Sequence, residues 1–167
     1  MSKKQPLTTI DFDFGIGEII PATQEAHHND GFDGQVRKTE KEGLAQFKNT
    51  LSSRLDSDLQ NNESFPSDGE VFVFIVQYFA SEKEYSRRDV DNMAKTILDI
   101  LKKRFYSDDS QVKTLLIGKK FEKRVPQNFA YVAIKRLSAS QDVDALKISG
   151  LERSVTMFQE LKSKKFI

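Results

Sequence analysis

Residues 9–16 alternate strictly, with Ile10, Phe12, Phe14 and Ile16 apolar and Asp11, Asp13 and Gly15 between them. A period of two predicts a half-buried strand whose carboxylates face away from the core. Gly15-Ile-Gly17 lacks the third glycine and the following helix of a dinucleotide loop, so it reads as irregularity at a strand end. Residues 21–42 contain Pro21, His27, His28, Asp30, Gly31 and Gly34 without periodicity, which predicts a long loop. Leu44, Phe47, Leu51, Leu55 and Leu59 then recur every three to four positions and predict a helix over about 43–60, with one apolar stripe to lay on a sheet. After a polar linker at 61–69, residues 71–79 are apolar on both alternating sets, as in a central strand covered on both sides.

From 90 to 105 the apolar positions Val90, Met93, Ala94, Ile97, Leu98, Leu101 and Phe105 fall on one helical face, while Asp91, Lys95, Asp99 and Lys102 line the other. Residues 112–120 and 129–135 read as two further strands joined through a turn containing Pro126. Leu151, Val155, Phe158 and Leu161 trace a last helix ending in Lys162, Lys164 and Lys165. The pattern implies an α/β (α+β) fold: a mixed four-stranded sheet flanked by helices over residues 1–137, with a C-terminal helical extension at 138–167. Phe12, Phe14, Phe72, Phe74, Phe79 and Phe129 sit on apolar strand faces and are expected in the core rather than on a base-stacking platform.

A chain of 167 residues suits one domain with its own core. It has no cysteine and only two histidines, the adjacent His27 and His28, which leaves no disulfide or thiolate zinc site and little room for histidine-based acyl transfer. The longest apolar run, 71–76, is too short for a bilayer, and Asp11 and Asp13 stand where a signal peptide needs apolar residues, so a cytoplasmic protein without membrane contact is expected. Charge changes the picture more. The net value is +1, yet residues 1–80 carry 7 basic and 13 acidic side chains, 81–136 carry 14 and 8, and 137–167 carry 5 and 4. A basic block beside an acidic half suggests a polarised surface for an anionic partner, nucleic acid foremost, with a merely solvated face as the alternative.

Within that basic block lie Arg87-Arg-Asp89-Val-Asp91-Asn92-Met-Ala-Lys95 and, after the helix, Tyr106-Ser-Asp108-Asp109-Ser-Gln111. Asp89 stands at an N-cap position and Asp91 in the first turn, where carboxylates are favoured for purely structural reasons. Lys95 falls one turn from both Asp91 and Asp99, where two surface ion pairs are the simplest expectation. A second acidic pair one helix later, however, allows three carboxylates to converge near the ends of two strands. Such an oxygen-only set suits a hard divalent cation such as magnesium. Arg87, Arg88, Lys102, Lys103, Arg104, Lys119, Lys120, Lys123 and Arg124 frame the acids with positive charge. An anionic centre in a cationic frame is what metal-dependent phosphodiester cleavage requires. On this reading Lys95 stabilises charge on the phosphate or orients the attacking water. Arg87 and Arg88 contact backbone phosphates, with Lys119 and Lys120 as weaker candidates.

The run R-D-x-D-N with a lysine three residues after the asparagine, a Leu-Asp pair further along the helix, and D-D-x-Q after a short linker resembles the RusA family of Holliday junction resolvases. The motif region spans roughly residues 87–120. The resemblance implies metal-binding and catalytic aspartates at Asp89, Asp91 and Asp109, a catalytic lysine at Lys95, a supporting position for Asp108, and structural roles for Asp99 and Gln111. It further implies a magnesium-dependent endonuclease, with manganese as a substitute, that acts as a homodimer on branched, four-way DNA without a small-molecule cofactor. The rivals are a DNA-binding or regulatory module of the same fold that does not cut, and a nuclease for RNA or flaps. The chain departs from the usual family pattern in having no proline-rich basic segment after the first strand. It also has Lys102-Lys-Arg-Phe105 where relatives turn with Asn-Gly.

Overall fold

The computed structural model describes residues 10–23, 34–137 and 163. Its elements are β1 (Phe12–Ile16), α1 (Gly34–Asp58), β2 (Val71–Phe79), α2 (Glu82–Ser86), α3 (Val90–Leu101), β3 (Val112–Phe121) and β4 (Phe129–Arg136), with a 3-10 turn at Asp109–Gln111. One mixed sheet has the order β1-β4-β2-β3, in which β4 is antiparallel to both its neighbours and β2 is parallel to β3. The four strands and the two main helices expected from periodicity are present.

Two boundaries differ from the expectation. The first helix begins at Gly34, well inside the stretch read as loop. Residues 35–42 are mostly Gln, Arg, Lys and Glu, strong helix formers that carry no apolar period to announce themselves. α3 ends at Leu101 rather than Phe105, because Lys103 adopts φ 69° and reverses the chain. The five-residue α2 is too short to show a period. His27 and His28 lie outside the described residues, as does the C-terminal extension apart from Ser163, an exposed helical residue.

Register assigns the faces. Phe12, Phe14 and Ile16 stand opposite Ile134, Val132 and Ala130, which continue through Val73, Ile75 and Gln77 to Leu115, Ile117 and Lys119. This face meets Phe47, Leu51 and Leu55 of α1 and Met93, Ile97 and Leu101 of α3, forming the main core. Gln77 is a polar residue in the middle of this face. Fully buried, it accepts from the Ile20 N–H (2.9 Å) and donates to the Phe129 carbonyl (3.0 Å), which pins the segment after β1 to the middle of the sheet. Phe72, Phe74 and Phe129 lie on the opposite face, where Phe74 meets Tyr131 edge-on and Tyr78 stacks on Phe129 at 4.6 Å.

The parallel β2–β3 pairing governs everything that follows. Val71 stands opposite Val112 and Phe79 opposite Phe121, so α3 must carry the chain back from the end of β2 to its beginning. Its N-terminus therefore sits at one edge of the sheet and its C-terminus at the other.

Candidate active site

Asp89 takes the N-cap position of α3 with extended backbone (φ −99°, ψ 129°), but its carboxylate makes no capping hydrogen bond. The first helical bond runs instead from the Met93 N–H to the Asp89 carbonyl at 3.3 Å. Asp91 follows in the first turn, and both carboxylates are exposed. The segment ahead of them is held from below. The Lys119 ammonium donates to the Tyr85 carbonyl at 2.8 Å and to the Arg88 carbonyl at 2.7 Å, and lies 4.5 Å from the centre of the Tyr85 ring. Lys119, expected as a phosphate contact, is thus committed to fixing the Arg88–Asp89 backbone on β3. Its sequence position carried that signal, since alternation sets it on the same face as Ile117 and Phe121, the face the helices cover. Tyr85 packs edge-on against Phe79, and Tyr106 is fully buried with its hydroxyl donating to the Leu98 carbonyl, so both belong to the core. Burial, reinforced by Asp109 and Asp99, pushes the Tyr106 hydroxyl far above the usual tyrosine range.

Asp91, Lys95 and Asp99 project one turn apart along α3 into a groove of ≈ 440 Å³ between this helix and β3. Val90, Ala94, Leu98, Val112, Leu115 and Ile117 give the groove an apolar lining. β3 is one of the two edge strands of the sheet, and Leu115 is 37% exposed on it. Asp99 pairs with Lys48 of α1 at 3.1 Å, in place of the expected Lys95. Among the described residues Lys95 has no ion-pair partner and points its charge over the groove.

Asp109 closes the far end of the same groove. Lys102 donates to it at 2.9 Å, and that hydrogen bond, with the attendant charge attraction, raises the lysine above its ordinary value. Asp108 caps the 3-10 turn by accepting from the Ser110 N–H at 2.8 Å, which holds its carboxyl below the usual range. Gln111 is the clasp. Its Oε1 accepts from the Ser107 and Asp108 N–H groups at 2.8 and 2.9 Å, while its Nε2 donates to the Ser67 and Gly69 carbonyls at 2.8 and 2.9 Å. These bonds tie the Asp109 turn to the linker entering β2.

The two acidic clusters therefore do not converge within one chain. Ten residues of α3 separate Asp91 from Leu101, roughly 15 Å at helical rise, and Asp109 sits beyond that helix end. The physical reason is the parallel crossover, which places the start of α3 and the start of β3 at opposite edges of the sheet. Among the described residues no three acidic or histidine side chains gather closely enough to hold a metal. Of the other sequence candidates, Arg87 is exposed at the end of α2, Arg88 lies 3.6 Å from Glu84, and Lys120 is exposed, 3.9 Å from Glu122.

Over residues 17–134 the sequence matches the family model described as Endodeoxyribonuclease RusA, an interval that begins just after β1 and takes in β2, β3, most of β4 and both acidic clusters. The chain belongs to the RusA endodeoxyribonuclease family. No curated protein matches it. RusA membership makes this a nuclease-type hydrolase. No described helix is long and apolar enough to cross a membrane. RusA-type nucleases generally depend on a divalent metal, and the donors present suit one. Asp89 and Asp91 offer adjacent, exposed carboxylates that the helix cap leaves unused, and magnesium is often held by one or two carboxylates with waters and substrate phosphate completing its shell.

Proposed function

We propose that this RusA-family protein is a magnesium-dependent endonuclease that resolves four-way DNA junctions by paired nicks and works as a homodimer. The observation that carries the reading is that Asp91, Lys95 and Asp109 open onto one groove, with the carboxylates at its two ends. A two-fold axis across the middle of that groove exchanges its ends. Asp89 and Asp91 of one copy then meet Asp109 of the partner subunit, and the same contact repeats at the other end. The apolar lining and the outer edge of β3 support this, since a second copy covers both. A junction needs two opposed nicks, and two symmetric sites supply them.

In this arrangement Asp89 and Asp91, with Asp109 of the partner subunit, would hold a divalent metal, which would supply charge neutralisation at the phosphate. Lys95, without a competing ion pair among the described residues, offers its ammonium to the non-bridging oxygens as negative charge builds on them. A water adds to phosphorus, the bridging P–O bond breaks, and the water's proton leaves with the departing oxygen. Arg87, Arg88 and Lys120 lie where flanking phosphates run, while Lys119 positions Asp89 through the backbone.

The test uses mixed dimers of Asp91→Asn and Asp109→Asn chains, obtained by co-expression with two different tags. Each variant alone is inactive. In the mixed dimer one composite site carries both substitutions and the other neither, so single nicking of a synthetic junction returns in magnesium and is abolished by chelator. Mixed dimers that form but stay inactive would mean that each site lies within one chain, which refutes the shared-site reading.

A further inference from the structure

Lys103 has the only positive φ (69°) of any described residue other than glycine. A side chain disfavours the left-handed region, which glycine and, less readily, asparagine tolerate. The position is the reversal after α3: the Lys102 N–H bonds back to the Leu98 carbonyl, and the Lys103 N–H reaches forward to the Tyr106 carbonyl at 2.6 Å. Nothing in that turn uses the lysine side chain, which is exposed. A residue type that strains the backbone and whose side chain has no partner among the described residues points to use elsewhere.

Its surroundings indicate that use. Asp56, Asp99, Lys102, Lys103 and Arg104 line a shallow basin of ≈ 340 Å³ between the ends of α1 and α3. Every other charge there is matched. Arg104 grips both oxygens of Asp56 at 2.7 and 3.1 Å, Asp99 pairs with Lys48 at 3.1 Å, and Lys102 pairs with Asp109 at 2.9 Å. Among the described residues Lys103 alone keeps an uncompensated charge in the basin. Its neighbour in sequence, Lys102, touches Asp109, so the cation stands one residue from the end of the candidate nuclease groove.

We infer that Lys103 is a DNA-contacting residue: it takes a backbone phosphate flanking the cleaved bond, on the Asp109 side of the groove. This rests on the nuclease reading and extends it to a residue outside the family's acid-and-lysine motif. The fold tolerates the strained lysine because DNA binding uses its charge.

The full-length protein and its Lys103→Gly, Lys103→Asn and Lys103→Arg variants are compared in thermal melting and in binding of a synthetic four-way junction across a salt series without metal. Glycine and asparagine relieve the turn, so their melting temperatures equal or exceed that of the parent. They also bind DNA more weakly, with the slope of log K against log salt falling by about 0.9 for each copy engaged, or about fivefold per copy at 0.15 M salt. Arginine keeps the slope. Lys41→Gln, 15 residues from Asp56 along α1 and roughly 22 Å away, leaves binding unchanged. Lower melting temperature in Lys103→Gly, parental affinity and slope in the Gly and Asn variants, or an equal loss in Lys41→Gln each overturns the assignment. Failure of the parent protein to bind any DNA is a separate result, which removes the nuclease reading and this proposal with it.

Discussion

Replacing Gln111 by alanine removes all four hydrogen bonds of the clasp that ties the Asp109 turn to the strand entrance at Ser67 and Gly69. Three of the four are solvent-exposed and the bond to Ser67 is part-buried, so water replaces most of the lost partners and each bond falls toward the low end of the usual ~0.5 to 1.5 kcal/mol. The sum is about 2 to 3 kcal/mol of stability. For a chain of this size that corresponds to a melting temperature lower by roughly 5 to 10 °C. Gln111→Glu sharpens the test. It keeps the acceptor for the Ser107 and Asp108 N–H groups but turns an ionised oxygen toward the two carbonyls, so at pH 7 it is as damaging as alanine, with part of the loss recovered as the new carboxyl is protonated. Urea unfolding gives the free energies, with an unchanged m-value expected. Junction nicking in magnesium should fall in both variants, because the clasp sets where Asp109 stands. A loss below about 0.5 kcal/mol for Gln111→Ala would refute the claim that these contacts hold the turn.

Asp89→Asn, Asp91→Asn and Asp109→Asn each abolish junction cleavage while keeping stability within about 1 kcal/mol of the parent, since the carboxylates are exposed and, among the described residues, only Asp109 gives up an ion pair, to Lys102; full activity in any of them removes that residue from the site. Lys119→Ala lowers both stability and nicking by releasing the Tyr85 and Arg88 carbonyls, whereas Lys120→Ala leaves stability alone and flattens the salt dependence of binding; a parental melting curve for Lys119→Ala would contradict the anchoring role. The hydrogen bond from Arg124 lowers the Glu122 carboxyl to about 2 from 4.5, so its contribution to stability is present above pH 4.5 and lost as pH falls through about 2. Glu122→Gln should therefore flatten the acid limb of the urea midpoint between those values, and an identical limb in both proteins would show that the pair does not form. Sedimentation at micromolar concentration should return about twice the 19.1 kDa chain mass, and a strict monomer with and without junction would remove the paired-nick mechanism.

Local chemistry alone determined a good deal of this protein. Alternation and the 3.6-residue period delineated β2, α3, β3 and β4 to within a few residues, because each buries one face against the core and its sequence must follow that geometry. The D-D-x-Q run likewise encodes a capping box, since Asp108 and Gln111 are close enough in sequence to satisfy each other's backbone. The family motif also needed no tertiary information. Where no apolar period marks an element, the sequence was silent: the polar first turns of α1 and the single turn of α2 had no stripe to read.

The arrangement of the site was decided only by tertiary structure. The sequence brings Asp91 and Asp109 within 18 positions of each other and suggests one cluster, yet the parallel pairing of β2 with β3 obliges α3 to span the sheet and sets them at its opposite edges. Lys119 appears in sequence as one more cation in a basic run, and becomes an internal anchor because β3 turns that face toward α2. Asp99 pairs with Lys48, 51 residues away, rather than with the lysine one turn off. Motif spacing fixes which groups a chain owns and how they lie along one element. Which groups meet depends on strand direction and on helix packing, which are set by contacts between residues far apart in sequence.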